Sequence, residues 1–455
     1  MQARRAALEA LGAVHGRDAY ANLVLPGLLR RYRLSGADAA RATDLTYGTL
    51  RGTGTFDAVI GACSSRPLAR IDPAVHDALL LGTYQLLGTR VPAHAAVSTT
   101  VDLVRATSGA GAARFANAVL RQVAEHDLDG WVDLLAGPHA DPRDVAALRH
   151  QHPRWVVDAL AAALGQDEQR LTAVLAANNV PARVTVAAVP GSSTVAELVA
   201  AGAQPGRWAP TSAVLSGGDP AALSAVASGR ARVQDEGSQL VTLALVRAGM
   251  PDGVADDRWL DMCSGPGGKA TLLTGLAATR ADVAGSAHVL AAELHEHRAR
   301  LVRSALAAAD LVDNAAVVQA DATRGPWQPA GFSRVLLDAP CTGLGALRRR
   351  PESRWRRTPS DLDRLVPLQQ ALLRCAVDST ADGGVVAYVT CSPHPAETVD
   401  VVAHVLAERD DIDVLDAPAL LPDVPHADRG PYLQLWPDLH GTDAMFLSLL
   451  RRVGA

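Results

Sequence analysis

Lysine is almost missing from this chain: of 43 basic residues, all but Lys269 are arginine. A bias of that size reflects genomic composition, and it also singles out the one place where a compact ammonium stands. Cysteine is scarce too. Five thiols, an odd number with no Cys-x-x-Cys pair, argue against a disulfide framework or a zinc knuckle and leave reduced thiols, some buried and some reactive. No stretch of about 18 residues is free of Asp, Glu, Lys and Arg, so no membrane span is expected. Residues 1–14 carry Arg4, Arg5 and Glu9 without the apolar run of a signal peptide. A cytoplasmic location is expected. Strong charge of either sign is absent: a net of −5 does not suggest a generic polyanion binder. Residues 1–130 nevertheless hold 14 Arg against 11 Asp plus Glu, a net of +3 that leaves −8 for the rest. Any nucleic-acid surface must therefore be local.

What is present is ordinary globular material. Hydrophobic residues make up 48% and charged residues 20% of 455, enough length for several units with cores of their own. Residues 1–130 follow a helical pattern throughout. Ser35 with Asp38 predicts a capping-box start to a helix running to Arg51. Asp72 followed by Pro73 predicts another start, with Leu79, Leu80, Tyr84 and Leu87 at helical spacing and Gly88 as the stop. The segments 95–107 and 113–125 continue, the second with Phe115, Val119 and Val123 on one stripe. An all-α domain of five or more helices is expected over 1–130. In 131–235 the texture changes: 183–189 alternates like a strand between Pro181 and Pro190, and Pro, Gly and Ser cluster at 190–194 and 204–218, which predicts a small α+β connector. From 236 to 455, apolar runs at 258–263, 288–294, 315–320, 334–337 and 383–389 alternate with helical patterns such as 301–309 and 362–377. That alternation predicts an α/β domain with a parallel sheet covered on both faces.

The chemistry-bearing motifs sit at the ends of these runs. Leu260-Asp261-Met262-Cys263-Ser264-Gly265-Pro266-Gly267-Gly268-Lys269 lies where the first strand turns into a helix, and glycines there let a ligand approach bare backbone. A P-loop is excluded, because Cys263 stands where its first glycine belongs and Ala270 follows Lys269 in place of Ser or Thr. Glu293, Asp321 and Asp338 close the second, third and fourth strands, and ligands of open α/β sheets bind outside the carboxyl ends of the strands. An acid after the second strand suits a ribose diol; one after the third suits an adenine amino group. Each taken alone also suits a helix cap. Cys341 and Cys391, in Asp338-Ala339-Pro340-Cys341 and Thr390-Cys391-Ser392, follow the fourth and fifth strands. Cys63 and Cys375 are expected as small buried hydrophobes and Cys263 as packing. His394 is expected as a solvated loop histidine, and no metal is expected, since no His sits at ligand spacing. Finally, Arg348, Arg349, Arg350, Arg354, Arg356 and Arg357 put six arginines in ten residues around Trp355. Beside Cys341, such a cluster suits phosphate contact with an aromatic stacking face; a solvated surface is the alternative.

At these residues the chain resembles the RNA (cytosine-C5)-methyltransferases of the NOL1/NOP2/Sun family, over 236–455. The helical part, including Phe115-Ala116-Asn117-Ala118-Val119-Leu120-Arg121, resembles the NusB-like RNA-binding domain, a combination similar to the bacterial Sun-type enzymes of 16S ribosomal RNA. Family members often have Cys-Ala-Ala-Pro-Gly-Gly-Lys; here Ser264 and Gly265 take the second and third places, both small. The resemblance implies a Rossmann-like class I methyltransferase domain preceded by the NusB-like and connector domains, with S-adenosylmethionine over Cys263, Ser264, Gly265, Pro266, Gly267, Gly268 and Lys269. It implies Glu293 on the ribose, Asp321 near the adenine, and Asp338 at N3 of the base and near the methyl donor. Cys391 is implied as nucleophile, Cys341 as helper in proton removal and product release, and Lys269 as a charge stabiliser. RNA, most of all 16S ribosomal RNA, is the implied partner, with no membrane or metal and a monomer as the default. Residue chemistry alone does not choose between the thiols, since DNA cytosine methyltransferases use the Pro-Cys thiol as nucleophile. The rival functions are such a DNA enzyme, a methyltransferase of proteins or small molecules, and a non-catalytic RNA-binding or transcription factor built on the helical domain.

Overall fold

The computed structural model describes residues 1–280 and 287–454. The chain divides into two units, one of Met1–Val180 with Leu347–Thr358, the other of Pro181–Ala346 with Pro359–Ala455. In the first, helices run Gln2–Arg17, Ala21–Arg31, Gly36–Cys63, Pro73–Leu87 and Ala93–Val123. The Asp72 carboxylate accepts the Ala74 and Val75 amides at 3.0 and 3.3 Å, and Gly88 ends that helix as predicted. Ser35 occupies the cap position of Gly36–Cys63 but makes no side-chain bond there, and the helix continues past Arg51 to Cys63. The two patterns at 95–107 and 113–125 belong to one helical element broken at Gly109, whose φ of 88° few residues but glycine tolerate. Phe56, Leu79, Leu80, Val119 and Val123 meet in the core. Among the described residues no helix is long and apolar enough to cross a membrane.

Helices Leu128–Ala136, Pro142–Arg149, Arg154–Ala163 and Glu168–Asn178 belong to this same unit. The helical part thus extends to Val180, and the expected connector contributes its residues from Pro181 on, a small sheet with the short helices Val195–Ala200 and Ser224–Ala227, to the second unit. The arginine cluster also falls in the helical unit. Arg354 is fully buried and donates to the carbonyls of Gln151 (2.8 Å) and Asn178 (3.2 Å) and to Oδ1 of Asn179 (2.9 Å). Trp355 donates its indole N–H to the Arg51 carbonyl at 3.1 Å, its ring lying so close to Gly54 that a Cβ there would meet it at 2.2 Å. Arg356 donates to the carbonyls of Val14 and Ala19, both at 2.6 Å, the first within and the second just beyond the end of Gln2–Arg17. Arg348 reaches the Val180 carbonyl at 3.3 Å. Guanidiniums at helix carboxyl ends satisfy orphan carbonyls and complement the helix dipole. For Arg354 and Trp355 this corrects the expected phosphate and stacking roles, because a side chain wrapped in backbone cannot face a polyanion. Arg350 remains exposed, over the Tyr20 ring.

The second unit starts with β1 (Thr185–Ala188), β2 (Gln204–Pro205), β3 (Ser212–Val214) and β4 (Ala231–Val233), a four-stranded antiparallel sheet in the order β2-β3-β1-β4. The larger sheet holds β5 (Arg258–Asp261), β6 (His288–Glu293), β7 (Ala315–Gln319), β8 (Phe332–Asp338) and β9 (Thr380–Thr390), followed by β10 (Ile412–Leu415), β11 (Asp428–Arg429), β12 (Tyr432–Gln434) and β13 (Phe446–Arg452). Its order is β11-β12-β13-β9-β8-β5-β6-β7, with β10 on β13. Strands β5 to β9 are parallel to one another. The antiparallel strands β10 to β13, unread in the sequence, extend the β9 edge. Alternate residues feed opposite cores: Trp259, Leu336, Val385 and Ala387 pack with Leu240 and Leu273, while Leu260, Leu337, Val386 and Tyr388 pack with Leu372 and Val401. Period-2 burial on both faces is what near-continuous apolar strands require. Each fully buried leucine contributes about 1.5–3 kcal/mol. This double cover holds the carboxyl ends of the five parallel strands on one edge.

Candidate active site

Strand β5 ends on Asp261, and the turn after it is stripped of side chains where the next strand comes near. The Gly265 amide donates to Oε2 of Glu293 at 3.1 Å, and a Cβ at Gly265 would lie 2.2 Å from that oxygen. Gly267 has φ 107° and caps the helix Gly268–Ala278, whose first amides point into the turn. Ser264 donates its hydroxyl to the Ala292 carbonyl at 2.9 Å, so the first of the two substituted family positions is used to fasten the turn to β6. Glu293 is buried and also accepts the His295 amide at 3.0 Å. Asp261, at the end of β5, is a site residue that its place in the sequence does not single out. Its side chain is fully buried and neither oxygen has a well-formed hydrogen bond; burial first, then Asp338, pushes its carboxyl up to about 7.

Lys269, on the first turn of the same helix, reaches across to β8 and pairs with Oδ2 of Asp338 at 2.8 Å. Burial works against its charge, but Asp338 outweighs it and raises the ammonium's pKa. The two strand-end cysteines come together: Sγ of Cys341 and Sγ of Cys391 are 3.4 Å apart. Their environments separate them. The hydrogen bond from Cys341 lowers the Cys391 thiol, helped by Lys269 and opposed by burial, Asp338 and Asp443. The same bond, burial, Glu397 and Asp338 raise Cys341 well above the usual thiol range. Of the two thiols, Cys391 is the one favoured to ionise.

The loops bearing the two thiols are tied together just beyond them. Oγ1 of Thr342 and Oγ of Ser392 lie 3.2 Å apart, and the Gly345 amide donates to the Cys391 carbonyl at 2.9 Å. A side chain at Gly345 would strike the Ala444 carbonyl at 2.1 Å, so only glycine lets the three segments meet. Glu397 accepts the Thr342 amide at 2.7 Å and the Thr342 hydroxyl. It stands six residues after Cys391 as a lone acid, a position from which the sequence offered no signal.

Of the remaining expected residues, Asp321 is exposed and caps the turn Ala322–Arg324, accepting both the amide and the hydroxyl of Thr323 at 2.9 and 2.7 Å. Those bonds lower its carboxyl. Cys263 is half-buried against the β8 core, its thiol pushed up by burial, and Cys63 and Cys375 also pack against apolar clusters. His394 is not solvated: half-buried, it accepts the Ala396 amide on Nδ1 at 3.1 Å, and burial lowers its pKa. Glu293, Lys269, Asp338, Cys341 and Cys391 thus occupy one edge of one sheet. The arginine cluster belongs to the other unit.

A family model described as 16S rRNA methyltransferase RsmB/F matches residues 251–451, and the NusB family matches residues 1–125. A putative methyltransferase of Mycobacterium tuberculosis is 50% identical over 99% of this chain and 96% of its own length. Ribosomal RNA small subunit methyltransferase B of Pseudomonas putida is 33% identical over 90% of this chain and 89% of that protein. The solved structure of PH0851 superposes with a TM-score of 0.80 at 19% identity, covering 99% of this chain and 98% of the other, and shares the fold. From strand-end acids to paired thiols and a helical N-terminal unit, the chain belongs to the RsmB/F family of 16S rRNA methyltransferases.

Proposed function

We propose that the chain transfers a methyl group from S-adenosylmethionine to C5 of a cytosine in 16S ribosomal RNA, through a covalent bond between Cys391 and C6. Family membership supports the coarser part, a methyltransferase of ribosomal RNA that uses this donor. The observation that carries the finer part is the 3.4 Å separation of two thiols at adjacent strand ends, beside the Lys269–Asp338 pair. Packing alone has no need of that arrangement.

The residues of the turn fit the donor. Gly265 and Gly267 let the turn lie tight against Glu293 and against Val302 and Ala305, and Glu293 stands at the end of the second strand for a ribose diol. The buried Asp261 carboxyl, with no hydrogen-bond partner on either oxygen, would be favoured in its charged form by a cationic ligand. Bound there, the donor supplies an electrophilic methyl group. Cytosine C5 is a poor nucleophile until a thiolate adds at C6 and pushes electron density toward it. The Cys391 thiolate forms the C6–S bond, and the electron pair displaced onto N3 is met by a proton from the Asp338–Lys269 pair. After C5 is methylated, its proton must leave before the C6–S bond can break. Once Cys391 is bound to carbon, Cys341 gives its own proton to the Asp338–Lys269 pair, which has just lost one to N3, and its thiolate takes the proton from C5. The electron pair of that C–H bond forms the C5–C6 double bond as the C6–S bond breaks, which returns the Cys391 thiolate while N3 gives its proton to solvent. A base inside a duplex must be extruded to reach both sulfurs.

The test is to incubate Cys391→Ala and Cys341→Ala with 16S RNA and donor. Cys341→Ala should accumulate a covalent protein–RNA band, because release is blocked, and Cys391→Ala should form none. If Cys391→Ala traps RNA and Cys341→Ala does not, the roles are reversed. Bisulfite sequencing of the wild-type product reads the modified carbon directly.

A further inference from the structure

We infer that Glu397 is a positioning residue for the paired thiols: through Thr342, Ser392 and Gln369 it clamps the loop carrying Cys341 against the strand end carrying Cys391. Glu397 is fully buried, and its oxygens meet donors only. Oε1 accepts the Thr342 amide at 2.7 Å and Nε2 of Gln369 at 3.1 Å, and Oε2 accepts the Thr342 hydroxyl. Withdrawing a carboxylate from water is costly unless donors replace its hydration. A neutral side chain would fill this space at less cost, so the charge stands for what it fixes.

What it fixes brackets Cys341. Gln369, held by Glu397, donates also to the Pro340 carbonyl at 2.8 Å, one residue before the thiol, while Thr342 is one residue after it. The direction of the bonds is set as well. An ionised Glu397 can only accept, so the Thr342 hydroxyl donates to it and must accept from Ser392, 3.2 Å away and next to Cys391. The backbone of Glu397 is anchored in turn: its carbonyl accepts the hydroxyl of the fully buried Tyr388 at 2.8 Å, three residues before Cys391 on β9. The links from the Glu397 carboxylate thus reach the residues on both sides of Cys341 and, through Thr342, the residue after Cys391. The rival tie is the Gly345–Cys391 backbone bond, which no side-chain change removes.

The proposal rests on both sulfurs serving one ring, but its test needs no RNA. Phenylarsine oxide bridges two adjacent thiols with loss of water, so its affinity for the full chain reports whether Cys341 and Cys391 meet; Cys341→Ala sets the background. Glu397→Ala and Thr342→Val should bind it at least about tenfold more weakly than wild type, equivalent to about 1.4 kcal/mol, and Glu397→Gln should recover part of the loss. Methyl transfer in the same variants should lose kcat and keep KM for the donor, since Glu397 is remote from the glycine turn in the hydrogen-bond network. Wild-type arsenical affinity in Glu397→Ala would overturn the proposal and leave the backbone bond as sufficient. Should that variant fail to fold, wild-type affinity in Thr342→Val overturns it equally. Weakened arsenical binding together with a wild-type enzyme that leaves C5 unmodified would sink the cytosine reading while sustaining the clamp.

Discussion

Consider Arg354→Met, which keeps most of the apolar volume and removes the guanidinium. Arg354 has no exposed surface and donates three bonds at 2.8, 2.9 and 3.2 Å to Gln151, Asn179 and Asn178. Methionine leaves those acceptors buried without donors, and each orphaned polar group costs about 1–3 kcal/mol. Against this, the charge itself is expensive to bury, with Arg51 nearby and Nε unpaired. Taking the lower end for each acceptor and some relief from desolvation, the net loss is about 2–3 kcal/mol. For a unit of this size about 1 kcal/mol moves Tm by roughly 2–4 °C, so calorimetry should show the helical transition falling by roughly 4–12 °C. The slope of log affinity for RNA against log salt should not move. Arg350→Ala is the contrast: exposed, it should spare Tm and reduce the slope by about 0.7–0.9 if it meets a phosphate. An unchanged Tm for Arg354→Met with a reduced salt slope would refute the buried-anchor reasoning and return Arg354 to the nucleic-acid surface.

Other expectations concern the sheet edge. Lys269→Met removes the positive charge that favours the Cys391 thiolate and releases Asp338, which disfavours it. Both effects act in one direction, so the inflection of Cys391 alkylation by iodoacetamide should move to higher pH by on the order of one unit, about 1.4 kcal/mol. An unmoved inflection would remove Lys269 from thiol activation. Glu293→Ala deletes the acceptor at the end of β6 and frees the Gly265 amide. Donor binding should weaken at least about tenfold by calorimetry, and unchanged affinity would take Glu293 out of the site.

Much of this edge was legible because its signals are local. A strand, an acid at its end and a glycine turn follow one another within a few residues, and parallel strands then carry the ends to one place without further information. The Asp72–Pro73 start was legible for the same reason, since the cap and its amides are neighbours in sequence. Residues whose role depends on a distant partner were not. Arginine at 354 has the same composition whether its guanidinium meets phosphate or the carbonyl of Gln151, far away in the chain. Glu397 needs Thr342, and Asp261 needs the burial that only the finished sheet supplies. Strands β10, β11 and β12 have only two to four residues each, too short for alternation to mark them, and β13 finds its antiparallel partners β9 and β10 far away in the chain. The expected boundary near 130 lies close to the end of the NusB-family match at residue 125, and what the sequence did not mark is that further helices continue to Asn178 within the same compact unit.

The path of the chain through Leu347–Thr358 has a practical consequence for anyone wishing to dissect the protein. A single cut cannot separate its parts: trimming away the first 180 residues would leave, in the middle of what remains, a tryptophan and several guanidiniums whose carbonyl seats had been discarded with the missing piece. Such a fragment should be sticky toward polyanions and poorly behaved for reasons unrelated to methyl transfer. A clean excision would have to replace those twelve residues with a short neutral linker as well.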